Sequence, residues 1–301
     1  MRSLMRMRTL TAFLILLSAE LFVLVAVPAQ VKQAKEGVEV TISPSEAMIR
    51  EGDPLFLKVR VQNHGTKPVS FVGGRRPTTL DRALGLEMRR AGEEKYHQVR
   101  TIYGDFVDVV VTKPFELRPS EMHVSYEVFF RWGQGAIFNN PGKYELRAVV
   151  YGDGWKVVSK PIAVQVEKTP DAEKEIIERE GDYLYNAVGI HTGHLNPVRL
   201  AGVEAKLTTG NLKRTLRGIL AVLEVRHAKD QAARSRALQA LEELRKELDP
   251  VAAEMMDLRL AAAYIDIKDV AEAEKLLKKF KAPCPDVYGL RQRLEPLKSG
   301  M

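Results

Sequence analysis

Two histidines sit close enough in the chain to share a metal ion: His191 and His194, in the run Gly189-Ile190-His191-Thr192-Gly193-His194-Leu195-Asn196-Pro197. Metal sites use imidazoles a few residues apart when a third ligand reaches in, and Asp182 or Glu204 could supply it. The flanking Gly and Pro deny this pair the single helical face of an H-E-x-x-H motif, and no Glu stands between the rings. The pair reads either as ligands of a metal-dependent enzyme or as solvated loop histidines; no metal or other cofactor is expected. His64, His97, His123 and His227 are isolated and read as surface or satisfied partial-core residues.

Nucleophilic chemistry finds little support. There is no G-x-S-x-G turn, and Cys284, the single cysteine, lies between Pro283 and Pro285 without a neighbouring His. One cysteine also excludes an intramolecular disulfide. Asp105 and Asp108 could pair as carboxylates, but in a strand a three-residue separation puts them on opposite faces. No catalytic residue is therefore assigned. Two segments suit binding. Arg75 and Arg76, in Gly73-Gly74-Arg75-Arg76-Pro77, form a basic loop able to meet an anion, or an ordinary connection between strands. Arg131 and Trp132, following Phe129-Phe130 and preceding Gly133, could stack on a sugar or grip a partner chain; the rival is core packing.

The elements that must position these residues divide the chain in three. Arg2, Arg6 and Arg8 precede an apolar run from Leu10 to Val27, which closes on Val27-Pro28-Ala29. That is the pattern of a signal peptide over residues 1–29, with a retained anchor helix as the alternative. Its removal takes away three arginines and one glutamate and lowers the formal charge from +7 to +5. Without a basic tract interleaved with aromatics, nucleic acid is not expected as a partner.

Residues 30–168 alternate apolar and polar, as in Val38-Glu39-Val40-Thr41-Ile42 and in Leu55 to Asn63, with turn signals between about eight short runs. Residues 169–301 are rich in Ala, Leu, Glu, Lys and Arg. Asn196-Pro197, Asp249-Pro250 and Asp269 with Glu272 read as helix starts.

The stretches Phe115 to Glu121, Phe138-Asn139-Asn140-Pro141-Gly142-Lys143-Tyr144-Glu145-Leu146-Arg147-Ala148 and Ser159 to Val166 resemble the closing half of bacterial extracytoplasmic immunoglobulin-like domains, with Ser120 where those carry Gly. Tyr144 would offer its ring to the core and its hydroxyl to the preceding loop. Val251 to Phe280 resembles one tetratricopeptide repeat through Leu260, Ala261, Tyr264, Ala273, Leu277 and Pro285, with Asp257 at the motif's tryptophan position.

The expected fold is therefore a multidomain one, all-β plus all-α: an immunoglobulin-like antiparallel β-sandwich followed by an α-helical hairpin array. The expected function is that of an exported, non-enzymatic binding protein, periplasmic or extracellular, whose partner is another protein or an envelope polymer. It would meet a membrane only during export unless the N-terminal segment stays as an anchor. The alternatives are the metal-dependent envelope enzyme using His191 and His194, and a proteinase inhibitor presenting the Gly73 to Asp81 loop.

Overall fold

The computed structural model describes residues 32–33, 36–71, 83–99, 115–132, 135–152, 154–189, 195–282 and 284–299. Period-two alternation builds the strands. A three-stranded antiparallel sheet has the order β2 (Val38–Pro44), β4 (Leu55–Asn63), β9 (Met122–Phe129), with Val40 opposite Val61 and Lys58 opposite Tyr126. A nine-stranded sheet is built around β12 (Gly142–Gly152). Antiparallel to β12 run β6 (Leu84–Arg90), β13 (Trp155–Val158) and β14 (Ile162–Glu167). β5 (Val69–Phe71), β7 (His97–Val99) and β8 (Phe115–Leu117) extend it. β1 (Lys32–Gln33) runs parallel to β13, and β3 (Met48–Arg50) parallel to β14. β10 (Arg131–Trp132) and β11 (Gly135–Ala136) form a separate two-residue ladder.

The helices are α1 (Asp171–Arg179), α2 (Gly181–Val188), α3 (Pro197–Glu204), α4 (Asn211–His227), α5 (Gln231–Glu247), α6 (Pro250–Asp266), α7 (Val270–Leu277) and α8 (Pro285–Ser299). Local caps start several of them. The Asn196 side chain accepts from the Val198 and Arg199 N–H groups, that of Asp249 from Val251, and that of Asp269 from Glu272. Helix α2 has no capping side chain and gave no sequence signal; Leu184, Ala187 and Val188, all fully buried, hold it. Tyr144 does donate its hydroxyl proton to the Asn140 carbonyl at 2.9 Å.

The expected immunoglobulin-like sandwich followed by a separate helical array is not what forms. Among the described residues the chain is a mixed α/β structure of eight helices and about 29% strand, its sheets combining parallel and antiparallel pairs. One face of the three-stranded sheet, through Leu57, Val59 and Val61, shares a core with Leu86, Leu146, Val150 and Val164 of the larger sheet. Its other face, through Phe56, Val124, Tyr126 and Val128, shares a core with Leu216, Leu258, Ala261 and Phe280 of the helical half. That second face also carries Lys58, Arg60 and Gln62 of β4, and a polar period of two says nothing about what covers it. Here the cover is helical, with α6 against β4 and α8 against β9.

A buried polar joint locks the layers together. Helix α4 begins after Gly210, which has no side chain to cap it. Its first amides are capped instead by Asp53, from the turn between β3 and β4: Asn211 N donates to Oδ2 and Leu212 N to Oδ1, each at 3.0 Å. Arg50 N donates to Oδ2 at 3.2 Å. Burial raises the Asp53 carboxyl above its ordinary range even though these N–H groups oppose it. Gly210 has φ +103°, and a Cβ there would lie 2.5 Å from Arg50 Nη2. That guanidinium donates to Glu173 Oε2 of α1 at 3.0 Å and to the Thr209 carbonyl, while Thr208 Oγ1 donates to Glu173 Oε1 at 2.6 Å. Burial opposes ionisation of Glu173, but the bonds from Thr208 and Arg50 prevail and hold its carboxyl below the usual range.

Replacing Asp53 by Ala orphans two buried helix amides and is expected to cost roughly 3 kcal/mol. Asp53→Asn, which keeps an acceptor oxygen, should lose less. Urea unfolding followed by circular dichroism measures both, and an Ala variant as stable as the parent would remove the joint from this role.

Candidate functional site

The leucine spacing of α5 and the apolar face of α7 leave a groove above α6. Its volume is about 290 Å³. Leu238 and Leu241 line one side, Met256, Leu260 and Tyr264 the floor, and Leu276 the other side, with Glu242, Arg245, Glu272, Lys275 and Lys279 at the rim. Asp257, where the repeat resemblance places a tryptophan, is 5% exposed and pairs with both walls: Arg245 Nη2 at 2.7 Å and Lys279 Nζ at 3.1 Å. A carboxylate fills far less space than an indole, so the groove stays open at this point.

Lys279 also lines a second cleft of about 190 Å³, where the helices meet the three-stranded sheet. Met122, Val124, Tyr126 and Phe280 form its apolar surface, and Lys58, Arg60, Lys279 and Lys281 its cations. Glu254 of α6 takes Lys58 Nζ at 2.7 Å and 2.6 Å on its two oxygens and accepts from the Tyr126 hydroxyl at 2.9 Å. Arg60 and Lys281 are exposed and form no ion pair with any described residue.

Of the residues singled out from sequence, Arg131 and Trp132 lie in β10, opposite Ala136 and Gly135; their side chains are outside the described set. The rival expectation for their neighbours holds, since Phe129 enters the core between the sheets and Phe130 the core under the helices. Arg75, Arg76, His191, His194, Asp105 and Asp108 fall outside the described residues. Among the described residues no group of three His, Cys, Asp or Glu is placed to hold a metal, and no helix is long and apolar enough to cross a membrane. Three tyrosines of the helical half lie in different surroundings. Tyr264 lines the groove above α6, Tyr183 donates to the Asn196 carbonyl at 2.7 Å, and Tyr288 accepts from Gln292.

No family model matches this chain, and no curated protein does. Solved structures match only in part. The Pseudomonas fluorescens alkylpurine DNA glycosylase bound to DNA containing an abasic site analogue is 12% identical over 44% of this chain, with a TM-score of 0.31. The Bacillus subtilis sporulation control protein is 15% identical over 48%, also with a TM-score of 0.31. A Pyrococcus furiosus CARDB domain in complex with di-metal ions is 15% identical over 43%, with a TM-score of 0.24. This chain spans 31% of the first, 56% of the second and 87% of the third. Likeness at this level assigns it to no family.

Sequence reading missed the basic cleft. Its signals were Lys58 and Arg60 two apart on β4, and Lys279 and Lys281 two apart after α7; nothing local brings the two pairs together. The buried ionisable groups nearby are chemically quiet. Burial, then Asp286, pushes the Cys284 thiol well up, which disfavours the nucleophilic thiolate. His123 is fully buried on β9, and burial lowers its imidazole to about 3.

A histidine that stays neutral in the fold but protonates near its ordinary 6.5 when unfolded stabilises the protein above that value, and the contribution is lost as pH falls toward 3. Between pH 7 and pH 4 this loss is about 3 kcal/mol. His123→Leu is expected to flatten the acid limb of the stability profile by that amount, and an unchanged acid limb in urea titrations at the two pH values would refute it.

Proposed function

We propose that this chain is an exported, non-enzymatic interaction protein of the cell envelope or extracellular space, and that the groove above α6 grips a segment of another protein. The supporting observation is the groove itself, with an apolar floor from Leu241, Met256, Leu260 and Leu276 inside a rim of both charges. An aliphatic floor of this kind suits the apolar face of a peptide. A sugar polymer, the other partner class expected from sequence, prefers flat aromatic platforms, and among the described residues Tyr264 is the only ring lining the groove. Export rests on the residue 1–29 pattern.

Immobilised protein is expected to retain a specific envelope protein from extract, and the half-buried Leu238, changed to Asp, to abolish that retention while leaving the unfolding free energy within about 1 kcal/mol. Retention unaffected by Leu238→Asp would place the interaction elsewhere. Stoichiometric transition metal in the purified protein, with no partner retained, would overturn the reading in favour of His191 and His194.

A further inference from the structure

The basic cleft is arranged as two walls with an internal carboxylate between them. On one wall Lys58 and Arg60 stand on the same face of β4, about 7 Å apart at strand rise. On the other, Lys279 and Lys281 follow α7, again two residues apart. Helix α6 offers Glu254 and Asp257 one turn apart, and these neutralise the inner cation of each wall, Lys58 and Lys279. The outer pair, Arg60 and Lys281, has no such partner among the described residues. Glu254 shows what the cleft does with a carboxylate: it holds one between an ammonium and the Tyr126 hydroxyl, beside the apolar Val124 and Phe280.

We infer that Arg60 and Lys281 take the side-chain carboxylates of an extended acidic segment, entering from the groove above α6 past Lys279, which lines both spaces. Successive side chains of an extended peptide point to opposite sides, so neighbouring carboxylates of one segment can reach both walls. A planar guanidinium at Arg60 donates two parallel N–H bonds to a carboxylate. The inference rests on the reading of this protein as a binder of other proteins, and it assigns that partner an acidic stretch next to its apolar one.

The test uses the full chain and fluorescein-labelled deca-L-glutamate as the probe, with binding followed by anisotropy across a salt series. Saturable binding is expected, weakening as salt rises. Arg60→Ala with Lys281→Ala should weaken it about tenfold, through loss of two charge-assisted contacts. The charge-matched control Lys156→Ala with Lys160→Ala, in β13 and in the connection that follows it, should leave it unchanged. The retention assay with Leu238→Asp reads the groove and the anisotropy assay reads the cleft, so a failure of the groove reading and a failure of the cleft show up separately. No binding at low salt, or equal weakening by the two double variants, overturns the inference. Binding of dextran sulfate without deca-L-glutamate does so too, and points to a sulfated polymer.

Discussion

Helix α4 cannot cap itself. Gly210 brings the chain in at positive φ with no side chain, so the first amides of a seventeen-residue helix depend on a carboxylate from the turn between β3 and β4. Once Asp53 sits there, Arg50 is fixed beside it, and Arg50 in turn reaches Glu173 on α1 and the carbonyl of Thr209. The same turn presents Glu51, which accepts from Thr169 N at 3.1 Å just before α1 begins. One β-turn therefore sets where two helices start. A buried polar network of this kind tolerates few alternatives, because each arrangement that breaks a contact leaves a charge or an amide unsatisfied away from water.

The position of α4 then dictates what the three-stranded sheet can do with its outer face. With α4 held, α6 packs on β4 and α8 on β9, and Phe56, Tyr126 and Val128 are drawn into the helical core. Arg259 records how closely the layers approach. It is fully buried, its guanidinium lies 6.0 Å from the Phe56 ring centre, and it donates to the Val188 carbonyl at the end of α2. The negative end of that helix supplies the compensation a carboxylate would otherwise give. Burial lowers its guanidinium to about 10, so it stays charged at neutral pH and ties α2 to α6.

What the sequence made legible was whatever is decided within one turn of chain. Asn196-Pro197 and Asp249-Pro250 start helices because cap and amide are neighbours, and the alternation in Leu55 to Asn63 does form a strand. The groove floor was partly legible, since Leu238, Leu241, Leu260, Tyr264 and Leu276 carry the helical period. The layer arrangement was not. Asp53 lies 158 residues from the Asn211 amide it caps, and no local pattern marks such a pair. The covering of the polar face of β4 was illegible for a related reason: Lys58 lays its stem against the helical layer and ends on Glu254, so alternation there signals a mixed interface rather than water.

The distribution of charge separates the interior from the clefts. Cys284, His123 and Tyr126 are driven by burial toward their neutral forms, which removes the thiolate, the imidazolium and the phenolate from use. The outer cations of the cleft, Arg60 and Lys281, by contrast, are exposed, and screening limits how far their charge acts. Charges placed so are suited to recognising and orienting an oppositely charged surface, and they contribute more to selectivity and rate of encounter than to tight holding. Holding would have to come from the apolar groove next to them. Lys279, paired with Asp257 yet lining both spaces, is where those two contributions meet, so a segment that fills one space passes the charges of the other.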